Sequence, residues 1–132
     1  MTKVNLLKSI SKIKRNTNQR SKKTKIHIKI SKKFGKDYFD GKRAYGYGGY
    51  KYDGRWKPVA KRIVKHFNLK RGSKVLDIGC GKGFLVKDLL DIGINAYGLD
   101  ISTYALMNSE KEVRDRLYKG NAKKLNFPNN YF

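Results

Sequence analysis

The stretch Val75-Leu76-Asp77-Ile78-Gly79-Cys80-Gly81-Lys82-Gly83 sets glycines at alternate positions directly after an apolar run that carries an acid. A short apolar run bounded by glycine reads as a buried strand. Leu85, Val86, Leu89 and Leu90 then recur at helical spacing as far as Gly93, a favoured left-handed terminator. Ala96 to Leu99 follows as a second strand, closed by Asp100. Strand, glycine turn, helix and strand make a βαβ unit with a right-handed crossover. An acid then stands at the tip of each strand, which is the layout of a site for an adenosine-containing cofactor.

The glycine spacing narrows the cofactor. The dinucleotide fingerprint G-x-G-x-x-G needs its third glycine where Phe84 stands. A P-loop needs Ser or Thr after Gly-Lys to hold magnesium, but Lys82 is followed by Gly83 and Phe84. Both a dinucleotide and a nucleoside triphosphate are therefore disfavoured. Glycines at a sharp strand-to-helix turn permit positive φ and remove the Cβ atoms that hold a ligand off the backbone. Asp100 can accept from both ribose hydroxyls, and its charge repels a ribose 2′-phosphate.

With D-x-G-x-G-x-G and the downstream acid, the chain resembles the class I S-adenosylmethionine-dependent methyltransferases of the broad type 11 group, from about Trp56 to Phe132. The resemblance implies a Rossmann-like α/β fold with S-adenosylmethionine as cofactor. It implies a cofactor site made of Asp77, Gly79, Cys80, Gly81, Gly83, Asp100, Ile101, Asn121 and Ala122. Asp77 is expected near the methionine amino group, directly or through water. Ile101 is expected to give adenine an apolar face, and Asn121 stands where relatives carry an acid or amide beside the ring. Methyl transfer by in-line displacement needs no obligatory catalytic side chain, so no catalytic residue is assigned.

Charge is extreme and uneven. The 132 residues carry a formal net charge of +22, and residues 1–36 hold 13 Lys or Arg and no acid. Between Val75 and Asp100 the balance reverses, with Asp77, Asp88, Asp91 and Asp100 against Lys82 and Lys87. A sulfonium cation suits that local field, because charges on a distant arm are screened beyond about 8 Å at physiological salt. Basic arms bind nucleic acid by releasing phosphate counterions. Here lysine outnumbers arginine and Ile and Asn are plentiful, so an AT-rich coding bias accounts for the composition more simply, and RNA binding stays as a secondary alternative. Cys80 is the single cysteine, which rules out a disulfide framework and makes a cytoplasmic setting the default. Neither His27 nor His66 has a neighbouring ligand at metal-binding spacing, so no metal site is expected. No apolar run approaches the roughly 20 residues of a membrane span.

Three regions are expected. Residues 1–36 form a basic arm, its first 23 residues largely mobile except for a surface helix along Val4, Leu7 and Ile10. Thr24 to Phe34 is read as a helix stopped by Gly35, against a competing strand pattern. Residues 37–57 contain Tyr38-Phe39-Asp40-Gly41 and then Tyr45-Gly46-Tyr47-Gly48-Gly49-Tyr50-Lys51-Tyr52, a stretch read as neither strand nor helix. It can be a lid over the cofactor cleft, an irregular packing loop or a platform that stacks RNA bases. Arg55, beside it, is a candidate contact for a carboxylate or phosphate. Residues 58–132 begin with a helix whose stripe is Val59, Ala60, Ile63, Val64 and Phe67. Later come a helix from Ser102 to about Val113 and a third strand from Arg116 to Gly120, giving a parallel sheet in the order 3-2-1.

In the family the final phrase leads into a fourth strand that pairs with the first, so the chain reads as the front half of a methyltransferase domain, or as a piece that a partner completes. The acceptor, expected to be a small molecule or sugar, is not legible. An RNA methyltransferase, an RNA-binding protein and an inactive subunit are the alternative readings.

Overall fold

The computed structural model describes residues 3–10 and 23–132. Its centre is a three-stranded parallel sheet. Strand β1 (Lys74–Ile78) and strand β2 (Asn95–Asp100) pair from Lys74↔Asn95 to Ile78↔Leu99. Strand β3 (Leu117–Lys119) joins the other edge of β2, from Gly98↔Leu117 to Asp100↔Lys119. The order β1-β2-β3 is the expected 3-2-1 sheet.

Four helices precede the sheet or cross between its first strands: α1 (Lys25–Ser31), α2 (Lys36–Asp40) and α3 (Lys57–His66) before β1, then α4 (Phe84–Asp91) between β1 and β2. A fifth, α5 (Thr103–Met107), and a 3₁₀ helix (Lys111–Arg116) link β2 to β3. The core gathers Ala60 of α3, Cys80 of the glycine turn, Val86 and Leu89 of α4, and Ile94 and Ala96 around β2. Gly98 on β2 is demanded by this packing, since a Cβ there would lie 2.6 Å from Cys80 Sγ and 2.7 Å from Leu117 Cδ2.

Several elements depart from expectation, each for a local reason. The helix after Ser102 ends at Met107, well short of Val113. Ser102 caps it as expected, its Oγ accepting from Ala105 N at 3.0 Å. Its end is closed early when Asn108 Nδ2 donates to Tyr104 O and Ser109 Oγ donates to Leu106 O. Such short polar side chains compete with the helix ladder. Phe67, assigned to the buried stripe of α3, is 60% exposed. The helix stops at His66, and Leu69 N turns back to Val64 O, so Leu69 packs on the core instead.

Lys36–Asp40 folds as one helical turn inside the stretch read as structureless. Five residues between two glycines are too few to show a period. Helix α1 does form, with a capping box in which Thr24 Oγ1 accepts from His27 N and His27 Nδ1 accepts from Thr24 N. The left-handed residue after it is Phe34 (φ +48°), however, and not Gly35, which is extended and caps α2. Residues 3–10 make a turn where a helix along Val4, Leu7 and Ile10 was expected. Asn5 Oδ1 accepts from Leu7 N, while Arg62 Nη1 of α3 donates to Leu6 O and Ser9 Oγ, so these partners replace helical ones. The expected mobility of the first 23 residues falls mostly on positions outside the described residues.

Candidate functional site

A cavity of about 360 Å³ opens at the carboxyl ends of the strands, within the usual size range of small-molecule sites. Its floor is the glycine turn and the tips of the sheet: Gly79, Gly81, Leu99, Asp100, Ile101 and the loop Gly120-Asn121-Ala122. Its opposite wall is aromatic, made by Phe34, Tyr38, Phe39, Tyr47 and Tyr50.

The turn is locked to the second strand. Gly79 N and Cys80 N both donate to Leu99 O, at 2.7 and 3.2 Å, and Gly81 N donates to Asp100 Oδ2 at 2.7 Å. Ser102 N donates to the other carboxylate oxygen, Oδ1, also at 2.7 Å. Asp100 is thus 9% exposed and fixed in orientation, with a further lone pair on each oxygen to offer a ligand. Gly79 has φ +83°, and nothing lies within 4 Å of where its Cβ would be. That bare, open backbone is what a ligand lying against the turn requires.

Not every expected site residue faces the cavity. Gly79, Gly81, Asp100, Ile101, Asn121 and Ala122 line it together, while Asp77, Cys80 and Gly83 do not. Gly83 (φ +75°) serves packing, since a Cβ there would approach Leu117 Cδ1 to 2.9 Å. Cys80 is buried in the core. Burial, then the Asp77 and Asp100 carboxylates, push its thiol far up, so it stays protonated. Asp77 lies just behind the turn, and burial followed by the Asp100 charge pushes it up to about 6. Two carboxylates in one low-dielectric corner favour a cationic ligand. Arg55 is engaged within its own loop, donating to both Asp53 oxygens with Nε–Oδ2 at 2.7 Å.

Sequence reasoning missed the connection that holds the aromatic wall over the turn. Asp40, last residue of α2, accepts from Lys82 Nζ at 2.8 Å, from Tyr104 OH at 2.8 Å and from Tyr50 N at 3.0 Å. Lys82 is only 7% exposed. Burial works to raise the Asp40 carboxyl, but Lys82 and the Tyr50 and Tyr104 donors hold it below its ordinary value. Backbone bonds from Tyr47 N to Tyr38 O and from Gly49 N to Phe39 O fold the Tyr/Gly segment onto α2. Gly46 is required there, because a Cβ would meet Tyr38 O at 2.2 Å. Farther along, Tyr52 OH donates to the buried Asp88 of α4 at 2.5 Å. The one available signal was Lys82 itself, an ammonium inside a turn suited to a cationic ligand, whose charge had to be neutralised by another element.

Among the described residues, no group of three or more His, Cys, Asp or Glu is placed to hold a metal, and no helix is long and apolar enough to cross a membrane.

Residues 76–132 match a family model described as a methyltransferase domain. The demethylmenaquinone methyltransferase of Anoxybacillus flavithermus is 30% identical over 123 residues, covering 86% of this chain and 49% of the relative. That of Geobacillus stearothermophilus is 31% identical over 87 residues, covering 59% of this chain and 36% of the relative. Among solved structures, a glycopeptide N-methyltransferase complexed with sinefungin aligns at 27% identity and a TM-score of 0.40, over 55% of this chain and 32% of that one. The chain spans half or less of the length of each of these proteins.

Proposed function

We propose, from the methyltransferase-domain match and the methyltransferase relatives, that this chain is part of a class I S-adenosylmethionine-dependent methyltransferase, that its cavity binds S-adenosylmethionine, and that it forms the cofactor half of an enzyme transferring a methyl group to a small molecule or sugar. The bound cofactor supplies a methyl group on a sulfonium, activated for displacement. The chain's own residues hold it. Asp100 accepts from the ribose hydroxyls, Gly79 offers bare, open backbone while Gly81 N–H orients Asp100, and Ile101 with Asn121 and Ala122 receives adenine. Asp77, with Asp100, sets a negative field for the cationic end. Asp77, Cys80 and Gly83 support the site from behind the turn.

The Tyr/Gly segment is the lid in this reading. Tyr47 and Tyr50 close the cavity against water and hold the reacting groups in line, where orientation alone can supply about 7 to 11 kcal/mol of a barrier. Their phenols are pushed above the ordinary tyrosine value, chiefly by burial, so they stay neutral and act as walls rather than as bases. The protein works in the cytoplasm, with Cys80 as a reduced core thiol. The relatives named for demethylmenaquinone align with the cofactor half, so their acceptor is not carried over.

The observation that carries this reading is the Asp100 carboxylate anchored by Gly81 N–H beside an open glycine backbone. Calorimetry of the full chain with S-adenosylmethionine tests it. Asp100→Ala is expected to weaken binding about 10- to 100-fold, as for loss of charged hydrogen bonds. Equal affinity in wild type and variant, or no binding by either, overturns it.

A further inference from the structure

We infer that Phe34, at the end of the basic arm, belongs to the cofactor site and supplies an aromatic face for adenine opposite Ile101; this rests on the proposal that the cavity takes S-adenosylmethionine. Phe34 and Ile101 both line the cavity, and both are apolar side chains left open, at 40% and 53% exposure. A purine has two apolar faces, and it buries both when it enters between two such groups. Asn121 lines the same cavity and can address the ring edge.

Phe34 is tied to the sugar-binding acid by two hydrogen bonds. Ser102 Oγ donates to Phe34 O at 2.5 Å, and Ser102 N donates to Asp100 Oδ1 at 2.7 Å. Ser102 is itself buried and caps α5. The acid expected to hold the ribose is therefore linked through Ser102 to the backbone of Phe34. Its ring makes a T-shaped contact with Tyr38, with centroids 5.2 Å apart, and the residue still keeps 40% of its surface open.

The backbone conformation agrees. Phe34 is held at φ +48°, a region that side-chain-bearing residues rarely adopt, while the neighbouring Gly35 sits at φ −95° with open space around it. An ordinary helix end would place glycine in the left-handed position and need no aromatic there. Strain that persists when an unstrained arrangement is one residue away marks a position where the side chain is wanted.

The test is titration of the full chain with two probes, S-adenosylmethionine and adenosine. Phe34→Ala is expected to weaken both by the same factor, roughly tenfold or more, as for loss of a base–aromatic stack. Phe34→Tyr, which keeps the ring, is expected to bind within about twofold of wild type. The inference is overturned if Phe34→Ala binds S-adenosylmethionine as wild type does, or if it loses S-adenosylmethionine but not adenosine. Should Phe34→Ala fail to fold by circular dichroism, Phe34→Leu against Phe34→Tyr decides: weaker binding by Leu supports the stack, and equal binding overturns it. Failure of the wild type to bind S-adenosylmethionine removes the underlying proposal instead, and is seen before any variant is compared.

Discussion

Asp77 shows how a residue can be obvious in a motif while its chemistry depends on neighbours. Its carboxyl is pushed up to about 6, first by burial and then by Asp100. The folded chain therefore keeps a proton that the unfolded chain releases near pH 4. With no ligand, stability falls as pH rises from about 4 to 6 and is level above that. Asp77→Asn is expected to stabilise the ligand-free protein by about 1 to 3 kcal/mol at pH 7.5 and to have no such effect at pH 4. Thermal unfolding at the two pH values measures it. A cationic ligand has the opposite preference, since it needs the carboxylate. Affinity for S-adenosylmethionine is expected to drop as pH falls from 7.5 to 5 in wild type, and calorimetry should find the dependence flattened in Asp77→Asn. No change in slope would separate Asp77 from the ligand's charge. The motif made Asp77 legible as an acid beside the cofactor, but its proximity to Asp100 comes from β1 and β2 lying side by side.

Among the elements, the glycine turn and α2 depend on one another. The turn is local: its glycines fall at alternate positions of one five-residue stretch and their φ values follow from residue type. Helix α2 was invisible because five residues carry no period, and its anchor, Asp40, meets Lys82 from 42 positions away. Deleting one partner leaves a charge stranded. Asp40→Ala buries an unpaired Lys82 ammonium, and a cost of about 2 to 4 kcal/mol is expected. Lys82→Met is expected to cost less, and the double variant to recover part of the Asp40→Ala loss. Denaturant unfolding of the four proteins gives the coupling. Additive losses would show that the pair is not what seats α2. The same variants bear on the lid, because Tyr50 N also bonds to Asp40. Cofactor dissociation is expected to quicken in the Asp40→Ala, Lys82→Met pair, read by stopped-flow fluorescence.

At the scale of the whole molecule the net charge is +22, yet among the described residues no Lys or Arg lines the cavity, and its own corner is acidic. Binding to single-stranded oligonucleotide is expected to be weak and electrostatic, falling at least about tenfold between 50 and 200 mM salt. It is expected to be unchanged in Asp100→Ala, as filter binding can show. Loss of oligonucleotide binding in that variant would favour RNA as the acceptor. The parallel sheet, its order and the acids at its strand tips could be read from the chain because strand, glycine turn and helix are consecutive segments whose patterns report local geometry. What only the folded molecule decided is the far wall of the cavity. Phe34 and Asp40, with the Tyr/Gly segment, precede the motif by more than 20 residues and have no periodic signature. They are held at the site by the Asp40–Lys82 ion pair, by hydrogen bonds to Ser102 and Asp88, and by ring packing against Gly81, contacts between distant positions that no local pattern encodes. The basic arm thus reads in sequence as an appendage, and in three dimensions its end forms part of the site.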